Sequence, residues 1–357
     1  MKRIFPFLLV VLILGPGYSL ACTDFQVKAE DGGIVIGRSM EFALEMGSEI
    51  VTFPRGEEIV SETPDGKKGL RWRSKYGFLG INALGLKRAV LDGLNEAGLA
   101  IECLWFPGSV YDKATSNDFV AITDLGLWLL GNFATVDEVK NTIPHQALVG
   151  VYIPQLRQVP GFHVAVHDAA GKNLVIEFIN GERKIYDNPI GVMTNRPAFD
   201  WHLTNLRNYL NLTPADKESQ TIAGVGVEAS GSGNGWLGLP GDWMPPSRFV
   251  RTVKLLHAAK ATKNPAEAVN LAEHILNAVD IPFGVIDAQP TGHDYTQWCV
   301  IKDLTNRVLY YRSYRDLVLK RIDMKQLNFN PGATMKEIRI EDGTRNVIDV
   351  TERLWVK

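Results

Sequence analysis

Apolar positions come in two patterns along this chain. Short runs rich in Val, Ile and aromatic residues, bounded by Gly, Asp or Asn, recur at residues 33–37, 49–53, 88–92, 99–104, 162–168, 173–179, 299–303 and 307–312. Side chains of that kind pack well on a pleated surface, so each run predicts a half-buried strand. Residues 163–167 and 174–178 flank Asp168-Ala169-Ala170-Gly171-Lys172, a hairpin spacing, so the sheet is expected to be largely antiparallel.

The second pattern is helical. Residues 122–131 form an apolar block that predicts a buried helix, and Thr135-Val136-Asp137-Glu138 has the form of a capping box opening a short second one. Residues 199–209 and 248–260 also read as helices. Asn264-Pro265-Ala266-Glu267 supplies a cap, a first-turn proline and an early acid before Leu271, Ile275 and Val279 recur on one face. Residues 221–246 are dominated by Gly, Ser and Pro without periodicity and predict a long ordered loop of the kind that often carries function. Strands and helices grouped in this way imply a layered α+β domain rather than repeating βαβ units.

The amino terminus stands apart. Met1-Lys2-Arg3 is positively charged, residues 4–14 are apolar, and Ser19 and Ala21 are small residues three before and one before Cys22. That is the layout of a secretory signal peptide over residues 1–21, leaving a single domain over 22–357 exported to the periplasm or beyond. The apolar run is short of the roughly 20 residues a spanning helix needs, so no membrane span is expected. A lipoprotein signal also ends before a cysteine, but it usually carries Leu or a similar residue where Ser19 stands. Without Lys2 and Arg3 the 38 basic residues fall to 36 against 40 acidic ones, a net charge of about −4. So mild a balance gives no electrostatic case for a nucleic-acid partner. Three cysteines leave at least one free thiol, and Cys103 and Cys299 sit in apolar strand-like runs as inert core residues, a Cys103–Cys299 disulfide being the competing reading.

Signal cleavage makes Cys22 a terminal residue that carries nucleophile and base together. Its α-amine, with an ordinary pKa near 7.7–8.0, can take the thiol proton directly or through water. The alternative is a structural or lipidated cysteine that happens to follow the cut. Gly37-Arg38-Ser39-Met40-Glu41-Phe42 closes the next strand-like run. If that run pairs beside the terminal strand, Arg38 returns to polarise the thiolate or substrate carbonyl and Glu41 returns to hold the amine; a surface ion pair is the competing reading.

Cys22-Thr23, Gly37-Arg38-Ser39-Met40-Glu41, Asp92-Gly93-Leu94-Asn95-Glu96-Ala97-Gly98-Leu99, Met193-Thr194-Asn195-Arg196-Pro197, Phe199-Asp200-Trp201 and Pro246-Ser247-Arg248-Phe249 occur in this order and spacing. On these segments the chain resembles the choloylglycine hydrolase family, the N-terminal-nucleophile linear amide C–N hydrolases that include conjugated bile salt hydrolases and penicillin V acylases. The resemblance implies a four-layer αββα sandwich, an acyl-enzyme on the terminal cysteine, no cofactor or metal, and a homotetramer. It also implies that the Asn195 side-chain amide donates to the oxyanion and that Arg248 belongs to the active site. Preorganised donors of that kind are commonly worth about 10²–10³ in rate.

The chain departs from the family pattern twice. Glu41 stands where an Asp is usual, and Trp105 stands where bile salt hydrolases tend to carry Asn and some penicillin V acylases Tyr. The backbone N–H of Trp105 can still serve an oxyanion, while its ring supplies an apolar wall. The sequence therefore predicts an amidohydrolase for a small N-acyl amide with an apolar acyl group, penicillin V acylase-like or acyl homoserine lactone acylase-like. A bile salt hydrolase and a catalytically silent exported binding protein are the alternatives.

Other motifs lead nowhere. Gly233-Asn234-Gly235-Trp236-Leu237-Gly238 matches a dinucleotide fingerprint by letter, but no strand precedes it and Pro240 follows. His163 and His167 share a strand face without a third ligand to make a zinc site. His202, His257 and His274 read as surface or satisfied core residues, and Trp201, Trp236 and Trp243 as core packing or a pocket lining near the site.

Overall fold

A computed structural model of the chain describes residues 21–354. The leader expected at residues 1–21 lies, apart from Ala21, outside the described residues. Two sheets form the centre, and every pairing within them is antiparallel. The first runs Val192–Met193, Cys22–Lys28, Ile34–Phe42, His293–Asp303, Val308–Ser313 and Lys320–Asp323, with Ile286–Asp287 paired to His293–Asp303. The second runs Glu182–Asp187, Asn173–Ile179, Phe162–His167, Ala100–Trp105, Asp92–Asn95, Phe78–Ile81, Glu49–Phe53 and Glu337–Arg339.

Helices cover the outer faces. α1 (Leu125–Asn132) and α2 (Val136–Thr142) pack on the second sheet. α3 (Phe199–Asn205) leans on α4 (Pro245–Ala258), which with α5 (Pro265–Asn277) packs on the first sheet. The layers are helix, sheet, sheet, helix: the four-layer αββα sandwich. Cores of this kind are assembled from side chains such as Phe25, Ile34, Leu94 and Val164, all fully buried, each worth about 1.5–3 kcal/mol when removed from water.

The helix starts follow local chemistry. Thr135 and Glu138 form the reciprocal capping box, and the Asn264 side chain accepts the Glu267 N–H ahead of Pro265. α1 is buried along almost its whole length, as an apolar helix must be. α4 begins earlier than residue 248, at Pro245, because Pro at a first helical turn gives up no hydrogen bond.

Two expectations shift. Residues 88–91 are not a strand. They leave a turn at Leu84 and Gly85, both at positive φ, and the chain there is pressed against α1: a Cβ on Gly126 would stand 2.1 Å from the Val90 carbonyl oxygen. The strand starts at Asp92. The segment at 221–246 is not wholly loop, since Gln220–Ile222 and Val225–Val227 form an exposed hairpin and Asn234–Trp236 a 3₁₀ turn. One short parallel pair, Phe119–Ala121 with Ala147–Val149, lies outside the two main sheets. No helix among the described residues is long and apolar enough to cross a membrane.

Candidate active site

Cys22 opens the strand Cys22–Lys28 and lies opposite Met40 in the next strand. Gly37 makes that pairing tight, because a Cβ there would meet the Phe25 ring at 2.4 Å. The Cys22 sulfur is 3.8 Å from Met40 Sδ and 3.9 Å from the Glu41 carbonyl oxygen. Its backbone N–H, here in a peptide bond with Ala21, donates to Asn195 Oδ1 at 2.7 Å.

Asn195 and Arg248 close around this residue. Arg248 Nη1 donates to the Cys22 carbonyl at 2.6 Å and to Thr23 Oγ1 at 2.7 Å, and its Nη2 donates to Asn195 Oδ1 at 2.8 Å. The Trp243 carbonyl accepts from Arg248 Nε at 2.9 Å. Asn195 Nδ2 donates to the Trp105 carbonyl at 2.8 Å. The Asn195 backbone is fixed in turn by His202, whose Nε2 lies 2.9 Å from the Asn195 carbonyl and whose ring stacks on Phe249. Burial pushes His202 down to about 4, so it is neutral there.

Arg38 and Glu41 point to opposite faces of one strand. Arg38 is fully buried on the Cys22 face, donates from Nη2 to the Cys103 carbonyl at 2.9 Å, stands 3.5 Å from Asp92 and lies over the Trp298 ring. Glu41 turns toward the helix side, where its Oε1 accepts from Thr296 Oγ1 at 2.7 Å. Its carboxyl therefore meets Thr296 while the Cys22 nitrogen meets Asn195, and what Glu41 brings to the sulfur is a backbone carbonyl. Burial pushes the Glu41 carboxyl up to about 8 against the pull of Arg248 and Thr296. Burial likewise raises the Cys22 thiol, and Arg38 and then Arg248 pull it back down. On the same strand as Thr296, Asp294 is buried and raised to about 7, chiefly by burial.

A cavity opens at the Cys22 sulfur. Met40, Phe42, Met46, Leu84, Leu86, Leu91, Trp105, Ile153, Leu156 and Phe162 line it, with Thr123 the one hydroxyl. Trp105 sets its ring edge-on to both Phe42 and Phe162. Leu86, Ala89, Thr123 and Ile153 also border a second, outer hollow together with Lys87, Arg88, Glu62 and Tyr152. Neither the segment 221–246 nor Trp201, Trp236 or Trp243 lines the cavity. Trp201 is exposed, the Trp243 indole donates to the Asp280 carbonyl, and Trp236 borders a different hollow with Leu210 and His257.

A set of charged residues that the sequence did not bring together, His167 among them, lies between the sheets. His167 Nε2 is 3.0 Å from Asp24 and 3.3 Å from Glu102, and Lys302 holds Asp92 at 2.8 Å and also Glu102. The signal was available as a charged residue inside an apolar run, Glu102 in 99–105 and Lys302 beside Ile301. Asp24, Glu102 and His167 stand close enough together to be weighed as metal ligands. However, Lys302 on Glu102 and a proton on His167 already supply the positive charge, since the flanking carboxylates raise His167 to about 10 despite burial. His163 sits apart on Glu177. Cys103 and Cys299 are free and buried, both pushed up to about 12 by burial.

Comparison with known proteins identifies the family and the fold. The family model for linear amide C–N hydrolases of the choloylglycine hydrolase family matches residues 22–348. The chain is 32% identical to a bile salt hydrolase/transferase of Clostridium perfringens, over 87% of this chain and 94% of that one. Its fold matches the crystal structure of a variant of conjugated bile acid hydrolase from the same organism with a TM-score of 0.82, at 29% identity over 92% of this chain and 100% of the other. Penicillin V acylase from Agrobacterium tumefaciens matches with a TM-score of 0.74, at 26% identity over 89% and 91%. The chain belongs to the choloylglycine hydrolase family of linear amide C–N hydrolases, with the N-terminal-nucleophile fold.

Proposed function

We propose that Cys22 is the nucleophile and that the substrate is an N-acyl amide whose acyl group is apolar, of the penicillin V acylase or acyl homoserine lactone acylase kind. The observation that carries this reading is the cavity at the Cys22 sulfur, lined by aliphatic and aromatic side chains and one hydroxyl. Removal of residues 1–21 on export frees the α-amine of Cys22, which takes the thiol proton as the sulfur attacks the amide carbonyl. Arg38 favours the thiolate. Asn195, with a second Nδ2 hydrogen beyond the one on the Trp105 carbonyl, and the Trp105 backbone N–H receive the oxyanion. Arg248 holds Cys22 and Asn195 in register. Collapse expels the amine, which takes its proton from the α-ammonium of Cys22, and water then cleaves the thioester to release the acid and restore the thiol.

Bile salt hydrolysis is the second reading, favoured by the bile salt hydrolase relative. Turnover of penicillin V, glycocholate and a long-chain acyl homoserine lactone by protein beginning at Cys22, beside Cys22→Ser, separates the two. Cleavage of the first or third ahead of glycocholate, lost in Cys22→Ser, supports the proposal. Preference for glycocholate moves the substrate to the second reading, and silence on all three leaves a binding protein of this fold.

A further inference from the structure

The charged groups between the sheets form one connected and balanced set. Asp24, Arg38 and Lys302 come from the first sheet, Asp92, Glu102 and His167 from the second, and all six side chains are buried. Three are carboxylates and three are cations once His167 carries its proton. Asp92 and Glu102 lie directly opposite each other across two strands, and Lys302 bridges them. Both ends of the set return to the nucleophile. Asp24 is two residues from Cys22 on the same strand face, and Arg38, paired with Asp24, is the nearest cation on that face.

Six desolvated charges are a poor way to glue two sheets, because an apolar set of similar volume often serves as well or better. What an apolar set cannot do is fix the field at Cys22. The Asp92 carboxylate offsets part of the Arg38 charge that acts on the sulfur, and Lys302 offsets Asp92.

Resting on the reading of Cys22 as nucleophile, we propose that Asp92 and Lys302 are positioning residues that set the ionisation of the Cys22 thiol through Arg38. The other groups around the sulfur are the α-amine of Cys22 itself once freed, Glu41 on the strand of Arg38, Arg248 on α4, Asp24 on its own strand, and Cys103 and Glu102 on Ala100–Trp105, with His167 behind Glu102. None of these side chains is substituted in the variants below, although Lys302→Met and the double variant also remove the lysine that Glu102 holds. Asp92→Asn leaves Arg38 uncompensated and favours the thiolate. Lys302→Met leaves a carboxylate in excess and opposes it.

The test is the pH dependence of Cys22 alkylation by iodoacetamide, followed by mass on the peptide beginning at Cys22, so that no substrate need be known. The midpoint is expected to move down by about half a unit or more in Asp92→Asn, up in Lys302→Met, and back to the parent value in the charge-balanced double variant. Loss of fold in Lys302→Met alone leaves Asp92→Asn and the double variant to decide. Unchanged midpoints, or shifts of the same sign in both single variants, overturn the inference. Alkylation of Cys22 that leaves amide turnover intact overturns the reading of the nucleophile instead.

Discussion

One face of the first sheet holds two buried environments within three strand positions of each other. At the Cys22, Met40 and Trp298 level the surroundings are sulfur and hydrocarbon, opening into an apolar cavity. From the Asp24 and Arg38 level to Lys302 they are charged and closed. In the proposed function the apolar end binds through shape and water exclusion, which change gradually with side-chain volume. The charged end is all-or-none, because removing one member strands its partner without solvent. Cys22, the proposed nucleophile, stands at the boundary, where Arg38 offsets part of the burial that raises its thiol and where the cavity begins.

The sharpest way to break the comparison is at the boundary itself. Cys22→Ser should abolish amide turnover while leaving the unfolding midpoint almost unchanged, because the substitution is nearly isosteric. At the charged end, Lys302→Met should cost about 3–5 kcal/mol in urea unfolding, the usual consequence of stranding a buried charge. Asn195→Ala should lower kcat by about 10²–10³ in steady-state assays, the loss expected for one oxyanion donor.

The pH dependence of stability distinguishes the ends next. His167 binds its proton more tightly folded than unfolded, with a value near 10 against an ordinary 6.5. Its contribution is complete below about pH 6.5 and is lost as pH rises through about 10. Urea midpoints should fall between pH 7 and 9.5, and His167→Gln should flatten that decline. The smallest effect belongs to the apolar end. Leu84→Ala should widen the cavity and shift kcat/KM toward bulkier acyl groups by about tenfold, the worth of a few methylenes in a hydrophobic pocket.

The fold was largely legible in the sequence wherever one run of residues did one job. Residues 49–53 and 173–179 are rich in β-branched and aromatic side chains and are bounded by turn residues, and both strands match to the residue. Residues 88–91 misled because their apolar side chains serve the turn against α1 and the cavity wall rather than a ladder. At the site, the position of Cys22 and the order of short motifs brought Arg38, Asn195, Trp105 and Arg248 to one place. Glu41 lies in that neighbourhood with its carboxyl on the opposite face, a consequence of strand alternation after Met40. The charged set was hidden for a different reason. Spacing along a strand shows that Glu102 or Lys302 faces inward, but only the stacking of two sheets shows that they face each other. The cavity was legible at Trp105, expected as an apolar wall, but not beyond it, since its other walls come from Met40, Phe42 and the turns near 84–91 and 153–156 rather than from the glycine-rich segment.

The most direct test of the account is the mass of protein beginning at Cys22 after brief acid quench during turnover of an N-acyl amide. A mass increase equal to the acyl group, mapped to the Cys22 peptide, abolished by Cys22→Ser and discharged by water, is the predicted result. Turnover with the acyl mass on another residue, or undiminished turnover in Cys22→Ser, would contradict it.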